Sequence, residues 1–191
     1  QDDPLEAFAV SNGVKCFRGH PDDVMQRMYD AANFYGWNRF ISCTADNPFV
    51  DPFYARSLMQ FHEENGFSMS RIQGLPFGVF SYALSTKALG EAIADKDSID
   101  TEVWGAYFSE NPRFKCGVYE VDNTSHHQPE VRLTVDEPSD FEFVEEILNR
   151  SHSQFPDLDE ILAIIYANPE LLEINNHVQQ KAGAKVRFQG R

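Results

Sequence analysis

Short apolar runs of strand character alternate, along most of this chain, with helices whose ends are marked in the sequence. "RFISCT" (39–44), "FSMSRIQ" (67–73), "GVFSYA" (78–83), "FKCGVYEV" (114–121) and "EVRLTV" (130–135) read as strands, as does the shorter "VKCF" (14–17). Between them lie helical patterns. "DDPLEAFAVSNG" carries Leu5, Phe8 and Ala9 at helical spacing, with Gly13 placed to stop it. Pro21, Asp22 and Asp23 suit the start of the helix "VMQRMYDAANFYG". Asp51 is a good N-cap for "FYARSLMQFHEEN", with Pro52 first and Gly66 at the stop. "STKALGEAIA" and "DTEVWGAYFSENP" follow, then "PSDFEFVEEILNR" with Phe141, Val144, Ile147 and Leu148 inward. The tail from 158 to 178 gives two short helices broken at Asn168-Pro169. Such alternation predicts a three-layer α/β/α sandwich with a mixed, mostly parallel sheet. At 191 residues one domain spanning 1–191 is expected, with 157–191 as its helical extension.

The formal charge of −14, from 16 basic against 30 acidic residues, repels nucleic-acid backbones and anionic membranes, so neither is expected as a partner. A small anion remains compatible where a divalent cation or a local basic group offsets the field. Hydrophobic residues make up 42% of the chain, which excludes a disordered polymer. No apolar run reaches the roughly 20 residues needed to span a bilayer. Cys16, Cys43 and Cys116 sit among apolar neighbours and read as three reduced core thiols of a cytoplasmic protein.

Two predicted strands end in an aspartate followed closely by proline: "FISCTADNP" and "EVRLTVDEP". In open α/β sheets, ligands bind beyond the carboxyl ends of strands. If the two strands are parallel neighbours, Asp46 and Asp136 meet on one rim and could hold Mg²⁺, a hard cation that takes one or two carboxylates plus phosphate oxygens and water. The structural alternative is that Asp46 caps a turn before Pro48 and Asp136 caps the helix beginning near Pro138.

"FRGHPDDVMQRMYDAANFYG", "SCTADNPFVDP", "VRLTVDEPSDFEFVEEIL" and "NPELLEINNHV" occur in the order and spacing of a cytidylyltransferase-like family. The chain resembles the spore-coat polysaccharide biosynthesis proteins of that family, relatives of the deoxy-manno-octulosonate and acylneuraminate cytidylyltransferases. The resemblance implies transfer of a nucleoside monophosphate from CTP to a sugar or sugar acid, with release of pyrophosphate. It implies Mg²⁺ on Asp46 and Asp136, a nucleotide-side role for Arg18 and Asp23, acceptor contacts from Arg71, Gln73 and Glu102, and a homodimer. It also implies an earlier strand and a Gly- and Arg-rich loop ending in Pro-Gly-Lys. No such loop lies between Gln1 and Arg191, and the chain is expected to lack an N-terminal segment of some fifty residues, in line with the roughly 30 or more of a strand–helix–strand unit. A non-catalytic binding or assembly domain is the second expectation. A glycosyltransferase of related fold would show a D-x-D motif, and "TADNP" lacks the second Asp.

Departures from the pattern fall in the acceptor half. Ser42 and Ala45 stand where relatives often have Arg and Gly. Phe80 and Tyr82 stand where they often carry Asp and Glu, exchanging hydrogen-bond acceptors for stacking faces. His126-His127 reads as an exposed loop pair, and Trp37 and Trp104 as core or subunit-contact aromatics.

Overall fold

The computed structural model describes residues 2–101 and 103–180. Helix α1 (Asp3–Ser11) comes first, followed by α2 (Val24–Tyr35) and strand β1 (Arg39–Ser42). Helix α3 (Pro52–Asn65) leads to β2 (Met69–Gln73) and β3 (Tyr82–Ser85). Helices α4 (Thr86–Asp95) and α5 (Ala106–Ser109) precede β4 (Cys116–Glu120), and α6 (Pro138–Arg150), α7 (Leu158–Ala167) and a 3-10 turn (Pro169–Glu173) complete the described chain.

The boundaries follow from local chemistry. Asp51 accepts from the Phe53 and Tyr54 amides at 2.7 and 3.1 Å, satisfying donors that the first turn of α3 leaves without partners. Gly66 closes that helix in the left-handed region, at φ 61°. Asp23, Ser85 and Asp157 cap α2, α4 and α7 through their side chains.

The strands lie in the order β1-β3-β2-β4. β3 is antiparallel to both β1 and β2, while β2 and β4 are parallel. Three strands therefore share a direction and the reversed one sits inside the sheet: mixed and mostly parallel in direction, although two of its three pairings are antiparallel. Strand alternation sends Ile72 and Ala83 to one side, where they pack with Leu58 of α3, Phe143 and Ile147 of α6 and Ile161 of α7. Met69 and Leu84 go to the other side, against Met25 of α2, Leu89 of α4 and Phe108 of α5. Helices on both faces make the three layers. Each of these side chains larger than alanine contributes about 1.5–3 kcal/mol by leaving water.

Several expected elements differ. Residues 14–17 form no strand. Residues 130–135 are extended but join the sheet region only through a parallel bridge, Phe77 to Arg132. Its hydrogen bonds run from Phe77 N–H to Val131 and from Leu133 N–H to Phe77, both at 2.7 Å. The helix expected over 100–112 contracts to α5. In α6 the buried face is Asp140, Phe143, Val144 and Ile147, with Phe141 and Leu148 exposed; a buried carboxylate turns the helix off its apparent apolar stripe. Cys16 and Cys43 are exposed and Cys116 half-buried, so the thiols are free but not core groups. Among the described residues no helix is long and apolar enough to cross a membrane.

Gly78, at φ 98°, lets the turn after Pro76 press against residues 133–134; a Cβ there would lie 2.5 Å from the Thr134 nitrogen. Gly66 faces open space at φ 61°. Gly78→Ala is expected to destabilise by at least about 2 kcal/mol, through strain plus collision, and Gly66→Ala by only about 1 kcal/mol. Equal urea midpoints for the two variants would refute this account of the turn.

Candidate functional site

β1 and β2 both run toward one rim, and β3, reversed, starts from it. One row across the sheet pairs Ser42 with Tyr82 and Tyr82 with Arg71. These three side chains form the floor of a cavity of about 450 Å³ that opens beyond the strand ends. Thr44, Asp46 and Asn47, on the chain leaving β1, line it together with Thr134 and Asp136 of the chain that leads into α6. Phe77, Phe80 and Trp104 are among its apolar lining residues.

The two aspartates reach this cavity without adjacent strands. Val135 N–H donates to the Asp46 carbonyl at 2.8 Å, and Thr134 Oγ1 donates to the same oxygen at 3.3 Å. Backbone bonds thus hold the two loops side by side. Neither carboxylate serves as a cap. The Asp46 carboxylate has no hydrogen-bond partner among the described residues and is exposed. The start of α6 is served instead by Asp140, which accepts from Asp136 N–H and Glu137 N–H at 3.1 and 3.0 Å.

Asp140 is the fully buried centre of this region. Besides those two amides it accepts from Arg132 Nε and Nη2 at 2.9 and 3.0 Å and from Asn175 Nδ2 at 3.0 Å. Burial alone would push its pKa up; the Arg132 hydrogen bonds, the two amides and Asn175 outweigh it and hold the value at about 2. Arg132 in turn donates from Nη2 to Asp136 Oδ2 at 2.5 Å, so Asp136 is oriented by a cation that is itself held in place. The guanidinium also lies 5.4 Å from the Phe77 ring centroid.

Mg²⁺ fits this donor set. Two hard carboxylates line one cavity, and Arg132 engages only Oδ2 of Asp136. Among the described residues no cluster of three His, Cys, Asp or Glu side chains could hold a metal by itself. A cation here would draw its remaining ligands from water and substrate oxygens, the usual Mg²⁺ arrangement.

The other sequence candidates separate. Arg71 lines the cavity and bonds Gln73 Oε1 at 2.9 Å; Gln73 itself does not line it. Glu102 lies outside the described residues. Arg18 pairs with Asp3 and Glu6 on the surface, away from the cavity. Asp23 is 5% exposed, salt-bridged to Lys96 and bonded to Gln26 N–H and Thr101 Oγ1 at 3.1 and 2.9 Å. Burial works against its charge, and these donors hold its pKa below the usual carboxylate value. The structure does not bring Arg18 or Asp23 to the cavity.

His126 corrects the sequence reading, for only His127 is exposed. Its Nδ1 lies 2.7 Å from the Tyr54 hydroxyl and its Nε2 lies 2.8 Å from Asp159 Oδ1, a chain linking α3 to α7. Burial, with help from Asp51, pushes Tyr54 up to about 12, so the phenol stays a donor. Trp104 is core and Trp37 is exposed, stacked on Tyr35. Arg132, Asp140 and Asn175 were missed as a unit. Asp three positions into a Pro-started helix is a capping signal, but nothing local marks a partner 35 residues away.

The family model described as "Cytidylyltransferase" matches residues 2–174. The chain is 28% identical over 189 residues to an uncharacterized protein of Methanocaldococcus jannaschii, covering 97% of this chain and 77% of that protein. It is 25% identical over 174 residues to the spore coat polysaccharide biosynthesis protein SpsF of Bacillus subtilis, covering 88% of this chain and 72% of SpsF. The structure of a cytidylyltransferase from Leptospira borgpetersenii superposes with a TM-score of 0.81 at 21% identity, covering 95% of this chain and 76% of that one. That likeness establishes the fold.

Because the folded pKa of Asp140 lies below its ordinary value of 3.8, its contribution is present in full above about pH 4 and is lost as pH falls toward 2, about 2 kcal/mol in all. Asp140→Asn leaves Arg132 without its buried partner and is expected to lower the unfolding free energy by about 3–5 kcal/mol at neutral pH. It should also flatten the acid limb. Urea titrations from pH 7 to pH 2 measure both; an Asn variant with the wild-type profile would rule the arrangement out as a stabilising one.

Proposed function

This chain belongs to the cytidylyltransferase family, which makes it a nucleotidyltransferase, and from that premise we propose that the Asp46–Asp136 cavity transfers a cytidylyl group from CTP to a sugar or sugar acid. The observation that carries the reading is the release of both carboxylates from capping and their presence in the lining of one cavity. The likeness to SpsF, named for spore coat polysaccharide biosynthesis, supports a surface polysaccharide as the destination of the product.

In the proposed reaction an acceptor hydroxyl oxygen forms a bond to the α-phosphorus of CTP. The bond from that phosphorus to the bridging oxygen breaks, and the electron pair leaves with pyrophosphate. The hydroxyl proton passes to solvent. Asp46 and Asp136 would hold Mg²⁺, which when bound offsets the negative charge gathering on the phosphate oxygens. Arg132 fixes the orientation of Asp136. Thr134 and Val135 fix the Asp46 loop through its carbonyl. Phe77, Phe80 and Trp104 give the cavity an apolar surface against which the acceptor would rest. The side chains are asked for little proton transfer, in keeping with the lack of a histidine among the described residues that line the cavity.

Asp46→Ala and Asp136→Ala are each expected to abolish the Mg²⁺-dependent rise in melting temperature caused by CTP and to lower turnover by about 10²–10³-fold. Asp46, exposed and unbonded, should do so without altering the circular dichroism spectrum or the ligand-free melting temperature. An Asp46→Ala protein that kept the CTP shift would sink the metal assignment.

A further inference from the structure

We propose that Gln180 is a phosphate-binding residue of this cavity, its amide oxygen held by Arg132 and its amide N–H group donating to a phosphate oxygen of the bound nucleotide. The inference rests on the nucleotidyltransferase reading above and adds a residue to its substrate contacts.

Gln180 lies beyond the family-matched span, residues 2–174, and still lines the cavity with Asp46 and Asp136. Arg132 holds it there, for Nη1 donates to Gln180 Oε1 at 2.7 Å. The same guanidinium commits Nε and Nη2 to the buried Asp140, and Nη2 also to Asp136. One fixed cation thus orients two side chains that line the same cavity, a carboxylate and an amide.

The polarity of the amide follows from its partner. A guanidinium carries donors and no acceptor, so it can meet only the oxygen of Gln180. The N–H donors on Nε2 are left over, and among the described residues they have no hydrogen-bond partner. The positive charge of Arg132 polarises the amide and strengthens those donors.

Charge then selects the ligand. The cavity holds two carboxylates in a chain with 30 acidic against 16 basic residues, and a nucleoside triphosphate brings further negative charge. Another basic side chain here would compete with a cation for the remaining Asp136 oxygen. A neutral N–H donor binds a phosphate oxygen without that competition, and its hydrogen bond to an ionised oxygen is stronger than one between neutral groups.

A Gln180 that did no more than tie the chain beyond the 3-10 turn to Arg132 would respond differently to substitution. Gln180→Glu keeps an oxygen for Arg132 and removes the donor, whereas Gln180→Ala removes both. Calorimetric titration of the full chain with CTP and Mg²⁺, without a sugar acceptor, separates the two roles. Gln180→Ala is expected to weaken CTP binding about tenfold. Gln180→Glu should weaken it by at least about tenfold more, because its carboxylate repels the phosphates, while its ligand-free melting temperature stays at or above that of Gln180→Ala. Wild-type affinity in Gln180→Ala, or a Gln180→Glu protein that binds CTP at least as tightly as Gln180→Ala, would overturn the proposal. An unaltered protein without Mg²⁺-dependent CTP binding strikes the nucleotide reading itself; binding that is present but indifferent to Gln180 strikes this residue alone.

Discussion

The ion pair between Arg132 and Asp140 is the contact on which the functional end of this fold depends. A carboxylate without exposed surface survives in a protein interior only when its charge and lone pairs are met. Asp140 meets this demand with five donors drawn from three segments: Arg132 in the extended chain, the Asp136 and Glu137 amides at the start of α6, and Asn175 beyond the 3-10 turn. Asn175 also donates to the Arg132 carbonyl at 3.1 Å, so the same three segments are tied together around the pair. With it, Asp136 is delivered to the cavity by a guanidinium that cannot swing away.

The rim is accordingly a different construction from the sheet below it. Sheet residues are placed by ladders and by two apolar cores; rim residues are placed by a few bonds between loops. The Asp46 carbonyl holds the Thr134–Val135 backbone, and Phe77 holds Val131 and Leu133. The approach of Gly78 to Thr134 closes the gap between them. This arrangement leaves the Asp46 carboxylate, exposed and without a hydrogen-bond partner among the described residues, free of structural duty.

Much of the scaffold was legible because its signals are local. Asp51 before Pro52 and Gly66 after Asn65 mark α3 by the hydrogen bonds and backbone angles they supply. The strand runs at 39–44, 67–73 and 114–121 contain β1, β2 and β4. The site was legible in part. Asp46, Asp136 and Arg71 share a cavity, but through loop contacts rather than the parallel strands that the pattern of residues 130–135 suggested. What failed depended on distant partners. Asp23 looked available and is consumed by Lys96 and Thr101; His126 looked exposed and is enclosed between Tyr54 and Asp159; Phe141 followed helical spacing and yielded the inward face to Asp140. A carboxylate's partner 73 or 78 residues away leaves no local trace.

Because β3 runs against its neighbours, the cavity is reached by the exits of β1 and β2 but by the approach to β3. Phe80 and Tyr82 therefore line the cavity from the approach to β3, while Asp46 and Asp136 line it from other connections. The aromatic lining and the two carboxylates occupy separate stretches of polypeptide, free to diverge at different rates. A lineage could reshape the aromatic side of the cavity by rewriting a handful of codons between Pro76 and Tyr82, leaving the two aspartate loops as they were inherited.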